Sequence, residues 1–377
     1  MISVEGQFLL TLSIGNVKDF VTQEELLEFS ITEYSGGLLP TYQLLFISSN
    51  EKILSMLHEG QTIKVQYGKS NENLEEAVLY VGELNTQKEG DFKRSYDISG
   101  FATSLSYVNS HHTKISEPKS AVEVILETAK RNFKKVETNI SKSKDKQNWI
   151  QWGIPDRAFM SHLMIRSNLM PSFPAMAITA DGTFIFKDIL ADVKEGKVDH
   201  KFVKLESDKV IDYDADFLVS SQPLYFNNWT GYEKVKKVLN YATGKIEDVS
   251  TLFKPVIAMA NEIDKDPNIK YRFNGFEMQN ENVHENFWKA FDHNLVHLSQ
   301  MSKVQVQLSF TSEYRKVKPL DLVFFSESDN ANKAQASEYN SGLYYVTRVT
   351  KSVQAKTIVT TVTLNRESIN AIKNGGK

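Results

Sequence analysis

Hydrophobic and polar residues alternate through the first part of the chain, in QFLLTLSI (7–14), LLEFSITEY (26–34) and TYQLLFIS (41–48). A period of two is what a strand with one buried face imposes, because successive side chains point to opposite sides. Gly36, Gly37 and Pro40 mark a turn region between the second and third segments. A short helical piece at EKILSML follows, and GQTIKVQYG, AVLYVGEL and YDISGFATSLSYV predict three further strands divided by polar inserts. Such a run of short strands suits a small barrel or sandwich.

The period then lengthens. In SEPKSAVEVILETAKRNFKK, the residues Val122, Ile125, Leu126, Ala129 and Phe133 recur at helical intervals, and Ser120 stands three before Glu123 in a capping-box spacing. IPDRAFMSHLMIRSNL predicts a second helix with Asp156 as its N-cap, and MAITADGTFIFKD a hairpin turning at Asp181–Gly182. KVIDYDADFLVSS and PLYFNNW, between 206 and 240, read mostly as strands. EDVSTLFKPVIAMANEI carries a helical stripe interrupted by Pro255, and NENVHENFWKAFDHNLVHLSQM places Val283, Phe287, Phe291, Leu295 and Leu298 along one helix face. KVQVQLSF and VKPLDLVFF restore the strand signal, and SGLYYVTRVTKSVQAKTIVTTVTLNRESIN (341–370) closes with a β-branched hairpin.

These patterns predict an α+β, β-rich chain: two similar small antiparallel β-barrels with α/β and helical units between them. The expected divisions are a first barrel over 1–110, an α/β domain over 111–205, a discontinuous second barrel over 206–240 and 301–370, a helical insertion over 241–300 and a polar tail over 371–377. The two β-rich regions share an order of features. GQTIKVQYG, a polar insert, LYVGEL, a turn and YDISGF in the first correspond to VKPLDLVFF, a longer insert, LYYVTRV, a turn and TTVTLNR in the second. Setting Tyr80 on Tyr345 places Leu84 on Val349 and Phe101 on Arg366 without a gap. Identity between the copies is low, and any two antiparallel barrels share hairpins of this kind.

Composition narrows the function. A net charge of −3 and a pI of 6.3 give no general attraction to phosphate backbones or anionic lipids. With no cysteine, disulfides, thiolate metal sites, iron–sulfur clusters and cysteine nucleophiles are excluded. The N-terminal MISVEGQFLLTLSI lacks a basic n-region and reads as a strand instead of a signal peptide, and no run reaches the ~18 apolar residues of a membrane span.

Candidate chemistry is sparse. His293 and His297 stand at the spacing of a helical zinc site, but Asn294 occupies the place of the general-base Glu, so a packed or solvated helix face is the expected role. Asp212, Asp214 and Asp216 imitate the start of a calcium loop, yet Phe217 stands where Gly is needed and Pro223 where the bidentate Glu belongs. His111 and His112 read as a surface linker. Tyr225, Phe226 and Trp229 offer a stacking platform for sugars, although such clusters are more often core or subunit interface. No nucleophile elbow, Walker loop or dinucleotide fingerprint occurs in a supporting context, and no cofactor is expected.

The order of units resembles the baseplate-hub proteins of phage tails, a family whose fold is also seen in the hub part of type VI secretion spikes. The resemblance rests on FLLTLSI and LLEFSITEY, on an α/β unit ending in DGTFIFKD, on a helical insertion, and on SGLYYVTRVTKS…TIVTTVTLNRES with Arg366 near its end. It implies a non-enzymatic homotrimer whose two barrels per chain build a pseudo-sixfold ring around a DNA channel, joining a sixfold tail tube to a threefold spike. The implied partners are the tail tube protein, a separate central spike protein, wedge proteins of the baseplate and the tape-measure protein. DNA would pass without sequence-specific binding, and no stable membrane insertion is implied. The implied location is the virion tail baseplate, assembled in the host cytoplasm. Tyr80, Tyr344, Tyr345, Arg348 and Arg366 are the interface candidates. Alternatives are the hub of a non-contractile tail tip or phage-like injection particle, and a carbohydrate-binding adhesin.

Overall fold

The computed structural model describes residues 2–4, 8–69, 74–203, 213–219, 233–241, 243–252, 275–279, 283–301, 304–311, 314–326, 341–354 and 356–367. In chain order, the first β-rich region contains β1 (Ile2–Val4), β2 (Phe8–Ile14), β3 (Val17–Lys18), β4 (Leu26–Ser35), β5 (Thr41–Ser48), α1 (Lys52–Met56), β6 (Thr62–Gly68), β7 (Glu75–Glu89) and β8 (Lys93–Ala102). Strict alternation in β2 buries Phe8, Leu10, Leu12 and Ile14. Antiparallel ladders join these strands in the order β2, β6, β7, β8, β5, β4. The sheet curls around one core that includes Phe29, Phe46, Tyr67 and Ile98.

Next come α2 (Ser106–Asn109), β9 (His111–Ile115), α3 (Ala121–Asn132), β10 (Lys135–Thr138), β11 (Ile150–Pro155), α4 (Asp156–Arg166), β12 (Pro174–Ile178), β13 (Thr183–Asp188) and α5 (Ile189–Lys194). Helix α3 begins as its sequence predicts: the Ser120 hydroxyl accepts from the Glu123 amide while the Glu123 side chain accepts from the Ser120 amide. Its apolar face buries Val122, Ile125 and Ala129 against Phe159 and Met160 of α4 and Phe184 and Phe186 of β13. Asp156 is not the N-cap of α4. Pro155 holds that place, and the Asp156 carboxylate turns to α3, accepting from Arg131 Nη2 at 2.6 Å, Asn132 Nδ2 at 2.7 Å and Gln151 Nε2 at 2.9 Å. His111 and His112 lie in the β9–β11 ribbon, opposite Pro155 and Ile154, and not in a linker.

The remaining elements are β14 (His200–Val203), β15 (Tyr213–Val219), β16 (Glu233–Asn240), β17 (Lys245–Leu252), β18 (Gly275–Gln279), α6 (Phe287–Gln300), β19 (Val304–Thr311), β20 (Leu322–Ser326), β21 (Gly342–Gln354) and β22 (Thr357–Arg366). The second curled sheet has the order β14, β20, β21, β22, β19, β15, around a core of Val306, Leu308, Phe310, Val346 and Leu364. Here the strand pairing departs from the expected boundaries. β14, placed by the sequence in the α/β domain, joins this sheet, and does so parallel to β20. β16, expected in the second barrel, instead centres a three-stranded sheet with β17 and β18. The described part of the insertion is thus a small sheet carrying α6, because the EDVSTL stretch pairs as strand β17 with Asp248 opposite Lys237. The continuation of that expected helix through Pro255 lies outside the described residues. Among the described residues, no ladder closes either sheet into a barrel.

Candidate functional site

Two strand sets with one connectivity emerge from the ladders. β4, β5, β6, β7 and β8 pair in the order β6, β7, β8, β5, β4, and β15, β19, β20, β21 and β22 pair in the order β20, β21, β22, β19, β15. Thr62 faces Tyr80 in the first set and Leu322 faces Tyr345 in the second. The long central strand of each set then carries a bulge at the same place, between Val81 and Glu83 and between Val346 and Arg348. Beyond the bulge, Leu84 faces Ile98 and Val349 faces Val362. The ungapped match of Phe101 to Arg366 needs one correction: Tyr80 faces Phe101, but Tyr345 faces Asn365. The difference falls between the paired strands, where three residues separate β7 from β8 and two separate β21 from β22.

A bulge bends a strand and ends its pairing with one neighbour. In the first copy it depends on glycine: a Cβ on Gly100 would lie 2.0 Å from the Tyr80 carbonyl oxygen. In the second copy the consequence is visible in β21. Its residues before the bulge pair with β20, and those after it pair with β4 of the other sheet, from Arg348 opposite Tyr34 to Gln354 opposite Glu28. This ladder is the junction between the two sheets. The closing hairpin runs through both cores, with Val353 and Ile358 in the first and Val349, Val362 and Leu364 in the second.

Charge is buried at this junction. Lys351 of β21 is 4% exposed, and its Nζ lies 2.8 Å from Glu75 Oε2, 3.5 Å from the Tyr314 hydroxyl and 5.6 Å from the Tyr67 ring centroid. Burial works to raise the Glu75 pKa, but the charge and hydrogen bond of Lys351 outweigh it and hold it below the usual carboxylate value. Glu33 of β4 is buried too, and its Oε1 accepts from the Ala180 amide at 2.7 Å. Desolvation pushes its pKa up to about 7 in spite of nearby Lys351.

The five expected interface residues separate. Tyr344, Tyr345 and Arg366 are buried inside the chain, with the Arg366 guanidinium 4.3 Å from the Tyr344 ring centroid, so they are not an external contact. Arg348 is exposed and donates to Gln307 Oε1 at 3.2 Å, while Tyr80 is half-buried and its carbonyl accepts from the Tyr42 hydroxyl at 3.2 Å. The sequence missed Lys351 and Glu33, whose signal was a charge at an inward position of an alternating strand.

The histidine pair has a packing role. His293 and His297 are buried with ring centroids 4.3 Å apart, His293 Nε2 lies 3.0 Å from the Ser172 carbonyl oxygen, and His297 stacks on Phe173. Burial, with His293 alongside, lowers the His297 pKa to about 3. Asn294 between them donates to the carbonyls of Met164, Ile165 and Ser167, at 3.2, 2.9 and 2.8 Å, and so terminates α4. Asp214 and Asp216 stand in β15, opposite Ser309 and Gln307, in extended backbone and not a loop. Asp212, Pro223 and the aromatic platform of Tyr225, Phe226 and Trp229 lie outside the described residues. Among those that are described, no three His, Asp or Glu side chains form a group able to hold a metal, and no helix is long and apolar enough to cross a membrane.

No protein-family model and no curated protein matches the sequence. Solved structures do match over nearly its whole length. The 43 kDa tail protein of prophage MuSo2 from Shewanella oneidensis superposes with a TM-score of 0.62 at 10% identity, covering 96% of this chain and 98% of that one. The tail protein from Neisseria meningitidis MC58 gives 0.61 at 9% identity over 96% and 97%. The E. coli c3393 protein, a component of the type VI secretion system with structural similarity to T4 bacteriophage tail proteins, gives 0.52 at 12% identity over 95% and 77%. The chain therefore has the fold found in these phage tail proteins and this type VI secretion system component.

Proposed function

We propose that this protein is the structural baseplate hub of a phage-type tail. In this reading three copies form a ring, and the two curled sheets of each copy place six similar units around a channel for DNA. One face of such a ring meets a sixfold tail tube, and the other meets a threefold central spike supplied by another polypeptide. Wedge proteins and the tape-measure protein are further partners, with Tyr80 and Arg348 as surface contacts. The two sheets, the α/β unit between them and the insertion act as separate domains of this assembly, in a virion baseplate put together in the host cytoplasm.

One observation carries the reading: two five-stranded sets share connectivity and bulge position within one chain. A duplicated module lets threefold symmetry present six near-equivalent surfaces. The fold shared with tail proteins supports the same conclusion, and the role requires interface and not chemistry. The test is the mass in solution, alone and with a candidate spike protein. A species of about three times 42.9 kDa is expected, and a strict monomer under both conditions overturns the proposal.

A further inference from the structure

Within the chain, β21 beyond its bulge docks on β4. By the correspondence of the two strand sets, β7 is the counterpart of β21, and β15 is the counterpart of β4. Neither counterpart has a partner on the matching edge among the described residues: Glu83–Glu89 pair only with β8, and β15 pairs only with β19. The open stretch of β7 is as long as the docked stretch of β21, since each runs nine positions past its aligned tyrosine to Glu89 or Gln354. An open strand edge of this length is a template for pairing with another chain.

The geometry points to β7 of one copy pairing antiparallel with β15 of the next, in the register that β21 and β4 use within the chain. This rests on the hub reading above and names the contact that would build its ring. The internal ladder sets Ser352 opposite Ser30 and Val353 opposite Phe29. Carried over, it sets Gln87 opposite Asp216 and Lys88 opposite Ala215. A second copy is the occupant because the complementary edge is already present in this sequence, and because the internal junction supplies the register. Three internal and three intermolecular ladders then alternate around the ring.

The two kinds of junction differ in polarity. The internal one buries Val353 and Ile358, which face each other across the hairpin. Lys88 and Arg94 face each other at the corresponding positions of the β7–β8 hairpin, which ends in the 86% exposed Phe92. Charged residues on an open edge limit indiscriminate pairing of free chains. In that register Glu89 falls opposite Asp214, a like-charge pair that further disfavours indiscriminate pairing of free chains.

The chain has no cysteine, which makes a thiol cross-linking test clean. The double variant Gln87→Cys/Asp216→Cys is treated with a short bis-maleimide beside both single variants. Ser30→Cys/Ser352→Cys serves as the control for the same register inside one chain. The expected result is covalent dimers and trimers for the first pair only, with a purely intramolecular link for the control. A ring-sized particle in which the control links and Gln87/Asp216 does not overturns the edge pairing and leaves the hub reading standing. A monomer in which only the control links overturns both.

Discussion

Lys351 shows how one residue can report on the whole junction. A lysine buried to this degree is tolerated only with a compensating carboxylate, and Glu75, from the other sheet, supplies it at 2.8 Å. Glu33 is the less settled neighbour, because its Oε2 accepts no hydrogen bond among the described residues. Its folded pKa of about 7 lies above the 4.5 of an exposed glutamate, so the folded chain holds this proton across a range where the unfolded chain has released it. The stability it contributes is complete below pH 4.5 and is lost as pH rises through 7. Glu33→Gln removes that loss. The stability of the variant relative to the parent is expected to rise between pH 5 and 8, by up to about 3 kcal/mol on the scale of a pKa displaced this far. Urea midpoints at the two pH values check this, and an equal difference at both would show that Glu33 ionises freely in the fold.

Among the elements, β16 and α6 are joined by a buried ion pair. Lys236 of β16 meets Asp292 of α6 at 3.0 Å, both nearly inaccessible, with the lysine 4.5 Å from the Trp288 ring centroid. Removing one member of such a pair leaves a buried charge uncompensated, so Lys236→Ala is expected to cost roughly 3 kcal/mol. The adjacent Lys237 pairs with Asp248 at 3.2 Å on the surface, both 64% exposed, and Lys237→Ala should change stability by under about 1 kcal/mol. Chemical denaturation of the two variants distinguishes these roles, and equal effects would remove the special place given to Lys236.

How legible an element was in the sequence follows from how local its causes are. Helix α3 was readable because its capping box and apolar stripe lie within a few residues of each other. Strands β2 and β19 were readable because each alternates between a buried face and a half-buried one. β17 was misread: its apolar residues sit at spacings that also suit a helix, and pairing with β16 decides between the two. Asp156 was misassigned for a related reason. Its position at the start of α4 fits a cap, yet Arg131 and Asn132 of another helix compete for the carboxylate and win it.

For the whole molecule, the proposed ring has a distinct signature in hydrogen exchange. Amides of β4 and the far half of β21 are already in a ladder within one chain and should exchange slowly at every concentration. The outward amides of Glu83–Glu89 and of β15 should exchange quickly in dilute monomer and at least tenfold more slowly after assembly. Protection that does not change on assembly would mean that the ring is built through other surfaces.

The sequence by itself determined the α+β, strand-rich class, the helices α3 and α6 and the likeness between the segments around Tyr80 and Tyr345, because these depend on periodicity and on contacts within one element. Tertiary structure alone decided that Tyr344, Tyr345 and Arg366 turn inward, that β14 and not β16 joins the second sheet, and that the far half of β21 leaves its own sheet to dock on β4. Those outcomes depend on which distant strand offers a free edge and which core has room for a side chain, and neither is encoded in the spacing of neighbouring residues.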